Sequence, residues 1–318
     1  MDWMNYPSIK EAWTYSNEKI SELRTAISKS KKIDKTVGVV TLGSFARREA
    51  SKCSDLDFFI VSEANISKED SKVMCDEISR IAHRLGIRDP SPGGTFAQCA
   101  TRSALLSKIG GADDSNKSLT LRMLFLLESE WLSGEAYYDK VFNDAVIRYI
   151  GDKITQHQLC LFLLNDIIRY YRTICVDFEQ KTSGAGGKSW GDRNIKLMFS
   201  RKLLYFSGII AVAETAQHTC TQKREILAGC LRKTPIERLS SICQGHTDQV
   251  LGRYNDFLSF LSDPKSRASL VGTTADRNDH TESFRLMKNG GHHFSWELDR
   301  LLSTVYHSGH PIHHALKF

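Results

Sequence analysis

The stretch Val37–Val61 reads VGVVTLGSFARREASKCSDLDFFIV, and its ends differ in kind from its middle. Val37–Leu42 and Phe58–Val61 are brief apolar runs, rich in β-branched and aromatic residues and bounded by small or charged ones, the pattern of short buried strands. Between them lie Gly43-Ser44, the charged segment Arg47-Arg48-Glu49, and Ser54-Asp55-Leu56-Asp57. Residues i and i+2 of a strand project to one face, so Asp55 and Asp57 are expected side by side at the edge of a sheet. Two such carboxylates repel unless a hard cation shares them, and Mg²⁺ is typically held by one or two protein carboxylates together with substrate phosphate oxygens. Gly43 allows close approach to the backbone, while the Ser44 hydroxyl and amide can bond phosphate oxygens where a helix starts. An Asp-x-Asp triplet alone suits a solvated strand end equally well. The upstream Gly-Ser and the flanking strands turn the reading toward a metal and phosphate site.

The 318-residue chain is longer than this motif requires, and two domains are expected, one over 1–118 and a mostly helical one over 119–318. With 41% hydrophobic and 25% charged residues, and no uninterrupted apolar run of spanning length, the composition predicts a protein not inserted in a membrane. The first residues carry acids and no apolar core, unlike a secretory signal. Eight cysteines without a C-x-x-C pair read as reduced thiols of a cytoplasmic protein. A net charge of +6 leaves an anionic partner unrepelled.

Helical spacing predicts a helix over 8–31. Another is predicted over 68–85, capped by Ser67, with Val73, Ile78, Ile81 and Leu85 on its buried side. Asp89-Pro-Ser-Pro-Gly-Gly breaks the chain, and Thr95–Leu106 is where a further strand would lie. From Leu119 the pattern LTLRMLFLLESEWL reads as helix, followed by Tyr137–Ile150 and Gln158–Phe178. On the last of these, Asn165, Asp166, Arg169 and Arg172 form a polar stripe, either salt-bridged on a solvated face or facing substrate. Thr182–Gly191 (TSGAGGKSWG) fails the phosphate-loop template and reads as an interhelix loop. A long helix then begins at Asp192, with Arg193, Lys196 and Ser200 at i, i+3 and i+7 on one face. Further helices are expected near 222–231, 235–243 and 248–262. Asp263-Pro264-Lys265 should break the chain, and 272–279 and Asn289-Gly290-Gly291 should be looser. The tail TVYHSGHPIHHALKF has four histidines but no accompanying carboxylate or cysteine, and does not read as a zinc site.

The succession Gly43-Ser44, a spacer, Ser54-Asp55-x-Asp57 and an apolar strand resembles the nucleotidyltransferase superfamily that includes DNA polymerase beta. Arg47 and Glu49 fit the Gly-Ser-x-x-Arg-x-Glu form of its uridylyl- and adenylyltransferase branches. The resemblance implies an α+β fold: a small mixed sheet forming the catalytic core, followed by a helical substrate-binding domain. It also implies a nucleoside triphosphate substrate, with Asp55 and Asp57 as catalytic ligands of Mg²⁺ or Mn²⁺ and Gly43, Ser44 and Arg47 at the nucleotide. Superfamily members commonly place a lysine after the sheet to clamp the triphosphate, the role implied for Lys196 with Arg193 and Ser200, whose stripe would equally suit a solvated face. They also supply a third carboxylate, usually on the next strand, and none stands between Pro90 and Ala112. That base is displaced, supplied by Glu49 or Asp113, or absent.

IGGADDSNKSLTLRMLFLLES and the segments around RYYRTICVDFE and WGDRNIKLMFSRKLLYF are similar to those of bacterial defence nucleotidyltransferases, the Hailong type among them. That narrower resemblance implies a short single-stranded DNA product, a partner effector protein, and priming from a C-terminal tyrosine, for which Tyr306 is the candidate; the other role open to Tyr306 is a partly buried aromatic that anchors the last helix. AMP or UMP transfer to a protein, and nucleotide binding without turnover, remain the alternatives.

Overall fold

In the computed structural model, which describes residues 5–88, 97–182 and 189–317, four strands form one mixed sheet. The chain divides into two compact units. Glu11–Thr155 and Thr219–Thr234 form the sheet-bearing unit, while Met1–Lys10, Gln156–His218 and Pro235–Phe318 form the other.

The sheet-bearing part begins with α1 (Pro7–Ser28), β1 (Gly38–Thr41), α2 (Gly43–Ala46), β2 (Phe58–Ser62) and α3 (Lys68–Arg84). It continues with β3 (Cys99–Thr101), α4 (Arg102–Leu106), α5 (Asn116–Leu127), β4 (Glu130–Ser133) and α6 (Glu135–Tyr149). The strand order is β3-β2-β1-β4. β1 runs antiparallel to both β2 and β4, and β3 lies parallel to β2. Every residue of β1 and β2 is buried, so both faces are covered and the strands read as continuous apolar runs rather than alternating ones. On one face Phe58, Ile60 and Val39 join Ile20, Leu23 and Ile27 of α1 and Ile78 and Ile81 of α3. On the other, Phe59 meets Phe125 of α5, which packs in turn on Tyr138 and Phe142 of α6. Each fully buried phenylalanine contributes about 1.5–3 kcal/mol.

Local chemistry sets the boundaries. The Ser67 hydroxyl accepts from the amide of Asp70 at 3.0 Å, capping α3 as expected. Val73, expected on the buried side of that helix, is 49% exposed, and Met74 and Cys75 take the inward positions. The helix from Leu119 stops earlier than its apolar pattern predicts. Glu128 turns out of helical geometry at φ −147°, ψ 50°, and Glu130–Ser133 becomes the strand beside β1.

The second unit contains α7 (Leu161–Thr182), α8 (Trp190–Lys196), a π turn at Leu197–Arg201 and α9 (Lys202–Ala213). α10 (Cys220–Leu231) then returns to the sheet-bearing unit. α11 (Pro235–Ile242), α12 (Asp248–Ser262), α13 (Pro264–Ala268), a 3₁₀ turn at Arg277–Asp279, α14 (Glu282–Val305) and α15 (Pro311–Ala315) complete the second unit. Its core centres on Phe199, stacked on Phe257 with centroids 4.7 Å apart and 5.1 Å from Phe294. Asn289-Gly290-Gly291, expected in a loose region, lies inside α14. A β-carbon at Gly291 would come within 2.8 Å of Met198 Cε, so the glycine serves helix packing instead of a turn. Helix α8 starts with Ser189, whose hydroxyl accepts from the Asp192 amide, and the π turn interrupts the single long helix read from Asp192. The expected break at 89–94 and residues 183–188 of the expected interhelix loop lie outside the described residues. No helix among the described residues is long and apolar enough to cross a membrane.

Candidate active site

Where β1 ends, the chain is tied to Asp57 through backbone groups. The Leu42 amide donates to the Asp57 carbonyl at 2.9 Å, and the Thr41 hydroxyl donates to the same oxygen at 3.0 Å. The next residue, Gly43, sits at φ +62°, and a β-carbon there would lie 2.4 Å from Asp57 Oδ2. The carboxylate thus occupies space that any side chain at position 43 would fill, and the left-handed backbone disfavours one independently. Leu56 is fully buried while Asp55 and Asp57 on either side are half-buried. Burial thus alternates at this step of two residues, as expected for Asp55 and Asp57 flanking an inward Leu56. β2 begins only at Phe58, so the pair precedes the strand. It is held by a bridge between Asp55 and Arg88, in which the Leu56 amide donates to the Arg88 carbonyl at 2.9 Å.

Gly43→Ala is expected to destabilise the protein by about 1–2 kcal/mol through the left-handed backbone alone. It should also displace Asp57 and remove nucleotidyl transfer. Thermal unfolding and a transfer assay on the same preparation check both, and an active variant would show that Asp57 needs no such seat.

Helix α2 is a single turn bearing Ser44, which is half-buried. The turn is closed by the Arg47 amide donating to the Gly43 carbonyl at 3.0 Å and the Glu49 amide donating to the Ser44 carbonyl at 2.8 Å. Arg47 itself is 6% exposed. Its Nε donates to Glu49 at 2.8 Å, and its Nη1 pairs with Glu128, the residue that ends α5. Arg48, at φ +61°, bonds Glu130 at 3.0 Å and Asn17 of α1 at 2.8 Å. Its Nη1 also donates to the Phe45 and Ala46 carbonyls at 3.2 Å. Two arginines therefore staple the turn after α2 to the α5–β4 connection and to α1. Glu128 and Glu130 escaped sequence reading, since their partners lie about eighty residues away. The one local signal was a pair of acids interrupting the apolar run from Leu119.

Strand β3 consists of Cys99, Ala100 and Thr101 and supplies no carboxylate. Of the alternatives for a third acid, Glu49 is buried in its pair with Arg47. The Asp113 side chain is 80% exposed, 3.6 Å from Lys108. Among the described residues no group of three His, Cys, Asp or Glu side chains is arranged to hold a metal. What the chain offers is two hard oxygen donors two residues apart, one of them against a glycine that leaves room. That donor set fits Mg²⁺ or Mn²⁺ completed by phosphate oxygens, and would not select a softer ion.

Arg193, Lys196 and Ser200 belong to the other unit. Lys196 pairs with Asp192 at 2.8 Å, and partial burial lowers the pKa of Arg193. Ser200 falls in the π turn, is 4% exposed and accepts from the Tyr254 hydroxyl at 3.4 Å. The extra residue per turn moves it off the face predicted by regular helical spacing. On α7, Asp166 and Arg169 approach at 3.8 Å, but Asp166 is 6% exposed, so the ion pair does not sit on the solvated face expected for it. The histidine-rich tail is helical at α15, and Tyr306 closes α14 at 6% exposure. Its hydroxyl donates to Glu214 at 2.7 Å, and its carbonyl bonds the His313 ring at 2.8 Å.

Beside β2, Cys99 carries a perturbed thiol. A hydrogen bond from Cys75, opposed by burial and helped by the Ser71 hydroxyl 3.1 Å away, brings its pKa down to about 7, while that of Cys75 is driven up. Cys99 is therefore expected to alkylate fastest of the eight cysteines, with a rate that rises with pH to a midpoint near 7. Peptide mapping after iodoacetamide pulses across pH 5.5–9 would read this; a midpoint near that of a free thiol would refute it.

Residues 20–85 match the family model of the nucleotidyltransferase domain; no curated protein matches the chain. The matched span runs from within α1 to the end of α3 and contains Gly43, Ser44, Asp55 and Asp57. It supports placing this part of the chain in the DNA polymerase beta-like nucleotidyltransferase superfamily and reading the protein as a nucleotidyltransferase enzyme.

Proposed function

We propose that the protein transfers a nucleotidyl group from a nucleoside triphosphate to an acceptor hydroxyl, with Asp55 and Asp57 holding Mg²⁺ or Mn²⁺. The observation that carries this reading is the seating of the Asp57 carboxylate against the Cα of Gly43 at the start of α2, with Asp55 half-buried two residues before it. A bound divalent ion supplies positive charge to the phosphates and to the oxygen that leaves with pyrophosphate. Ser44 holds phosphate oxygens through its hydroxyl. Arg47 acts through its ion pairs, which fix the Gly43-Ser44 turn, rather than by touching nucleotide. The reading requires none of Arg193, Lys196 or Ser200.

The test is incubation with Mg²⁺ and labelled ribo- and deoxyribonucleoside triphosphates, resolving pyrophosphate, labelled protein and polymer separately. Pyrophosphate release that depends on Asp55 and Asp57 supports the reading, and its absence with every nucleotide and acceptor tried counts against it. The finer form implied by the Hailong-type resemblance, a self-primed DNA oligomer that controls an effector in phage defence, has its own readout. The peptide containing Tyr306 should gain mass in nucleotide steps, which requires the tail to release a hydroxyl now bonded to Glu214.

A further inference from the structure

The sheet-bearing unit has a concave feature lined by none of the candidate site residues. A groove of about 800 Å³ runs between the C-terminal parts of α1 and α3 and is lined by the cations Lys29, Lys31, Lys32, Arg80 and Arg84. All five are exposed. The acids in its wall are Glu22 and Glu77, and both are engaged. Glu77 is buried, takes a two-pronged pair from Arg80, accepts from the Ser30 hydroxyl, and lies 3.9 Å from Lys32. Glu22 pairs with Lys19 at 2.8 Å. Among the described residues no carboxylate comes within ion-pair distance of Lys29, Lys31 or Arg84. The hydroxyls of Ser21, Thr25 and Ser30 also line the groove.

We propose that this groove binds the phosphate backbone of a single-stranded nucleic acid and so holds the acceptor strand. The proposal deepens the nucleotidyl-transfer reading and, as to the acceptor, rests on it. A concave track with several unpaired cations and interspersed hydroxyl donors suits a row of phosphates. A lipid surface calls instead for a protruding apolar face. The placement agrees. Arg84, at the groove, is four residues before Arg88, which bridges Asp55, so at most about 14 Å of extended chain separates the two. The Arg84 end of the groove therefore lies within that length of the backbone paired with Asp55.

Binding is measured without metal or nucleotide, by fluorescence anisotropy of a labelled oligonucleotide of about a dozen residues, in DNA and RNA forms, over a salt series. The triple variant Lys29→Glu, Lys31→Glu and Arg84→Glu is compared with the parent chain and with Asp57→Ala. The parent should bind, and the triple variant should bind at least about tenfold more weakly, with its salt slope reduced by about two. Asp57→Ala should bind as the parent does. Circular dichroism and thermal unfolding establish that the triple variant is folded, and Lys29→Gln, Lys31→Gln and Arg84→Gln provides a milder second variant. Equal oligonucleotide affinity of folded triple variant and parent overturns the proposal. So does a parent that binds anionic phosphatidylserine vesicles and no oligonucleotide. Binding that behaves as expected in a protein releasing no pyrophosphate would defeat the catalytic reading and leave the groove standing. Transfer without binding would do the reverse.

Discussion

Asp57→Ala should slow nucleotidyl transfer by about a thousandfold or more, the loss expected when a group that places positive charge against the transition state is removed. The fold should survive. Two bonds that fix this position, from the Leu42 amide and the Thr41 hydroxyl, end on the Asp57 carbonyl and not on its carboxylate. Removing one of two neighbouring acids also relieves repulsion. The thermal midpoint is accordingly expected to stay within a few degrees of the parent, equivalent to about 1 kcal/mol or less. Asp57→Asn, which keeps the shape and loses the charge, should be as inactive as the alanine variant. Turnover by Asp55→Ala/Asp57→Ala equal to that of the parent would dispose of the site.

The largest effect on stability is expected at Glu128. Its side chain is fully buried and pairs with Arg47, which Glu49 also contacts. Removing one partner of a buried ion pair leaves the other charge without full compensation, at a cost of about 3–5 kcal/mol. Glu128→Ala should sit near the lower end because Glu49 remains. Replacing the set with apolar residues, Arg47→Met with Glu49→Leu and Glu128→Leu, should recover much of the loss. Urea unfolding of the single and multiple variants gives the comparison. A Glu128→Ala cost under about 0.5 kcal/mol, within the range of an exposed pair, would mean that the arginine does not depend on Glu128. Transfer should fall with stability here, since Arg47 closes the turn that carries Gly43 and Ser44.

The β1–α2–β2 core was legible because its signals are local. Short apolar runs, a Gly-Ser and two acids at a spacing of two need no distant partner to be recognised, and β1 and β2 appear where those runs lie. Strand β4 was not legible. Glu130–Ser133 continues an apolar helical pattern, and what makes it a strand is pairing with β1, some ninety residues earlier. The Arg47–Glu128 pair is of the same kind. Asn289-Gly290-Gly291 misled in the opposite sense, because a glycine that admits Met198 at close range looks in sequence like a glycine that makes a turn. At the site itself, Asp55, Asp57, Gly43 and Ser44 stood out. The burial of Arg47 and the inward placement of Ser200 did not, one hidden by long-range pairing and the other by a π turn that ordinary helical counting does not foresee.

The assignment of α10 to the sheet-bearing unit has a practical consequence for anyone who cuts the chain. The covalent path changes unit after Lys10, after Thr155, after His218 and after Thr234. A fragment ending near residue 155 would hold the carboxylates and the whole sheet yet lack Arg224 and Arg232. Arg224 bonds the Ile150 carbonyl and Asp152, while Arg232 bonds Asn143 and lies over the Phe142 ring, 4.7 Å from its centroid. A protease acting at one site cannot set either half free, and an expression fragment that stops at the sheet leaves a gap that only Thr219–Thr234, supplied in trans or through a linker, would fill.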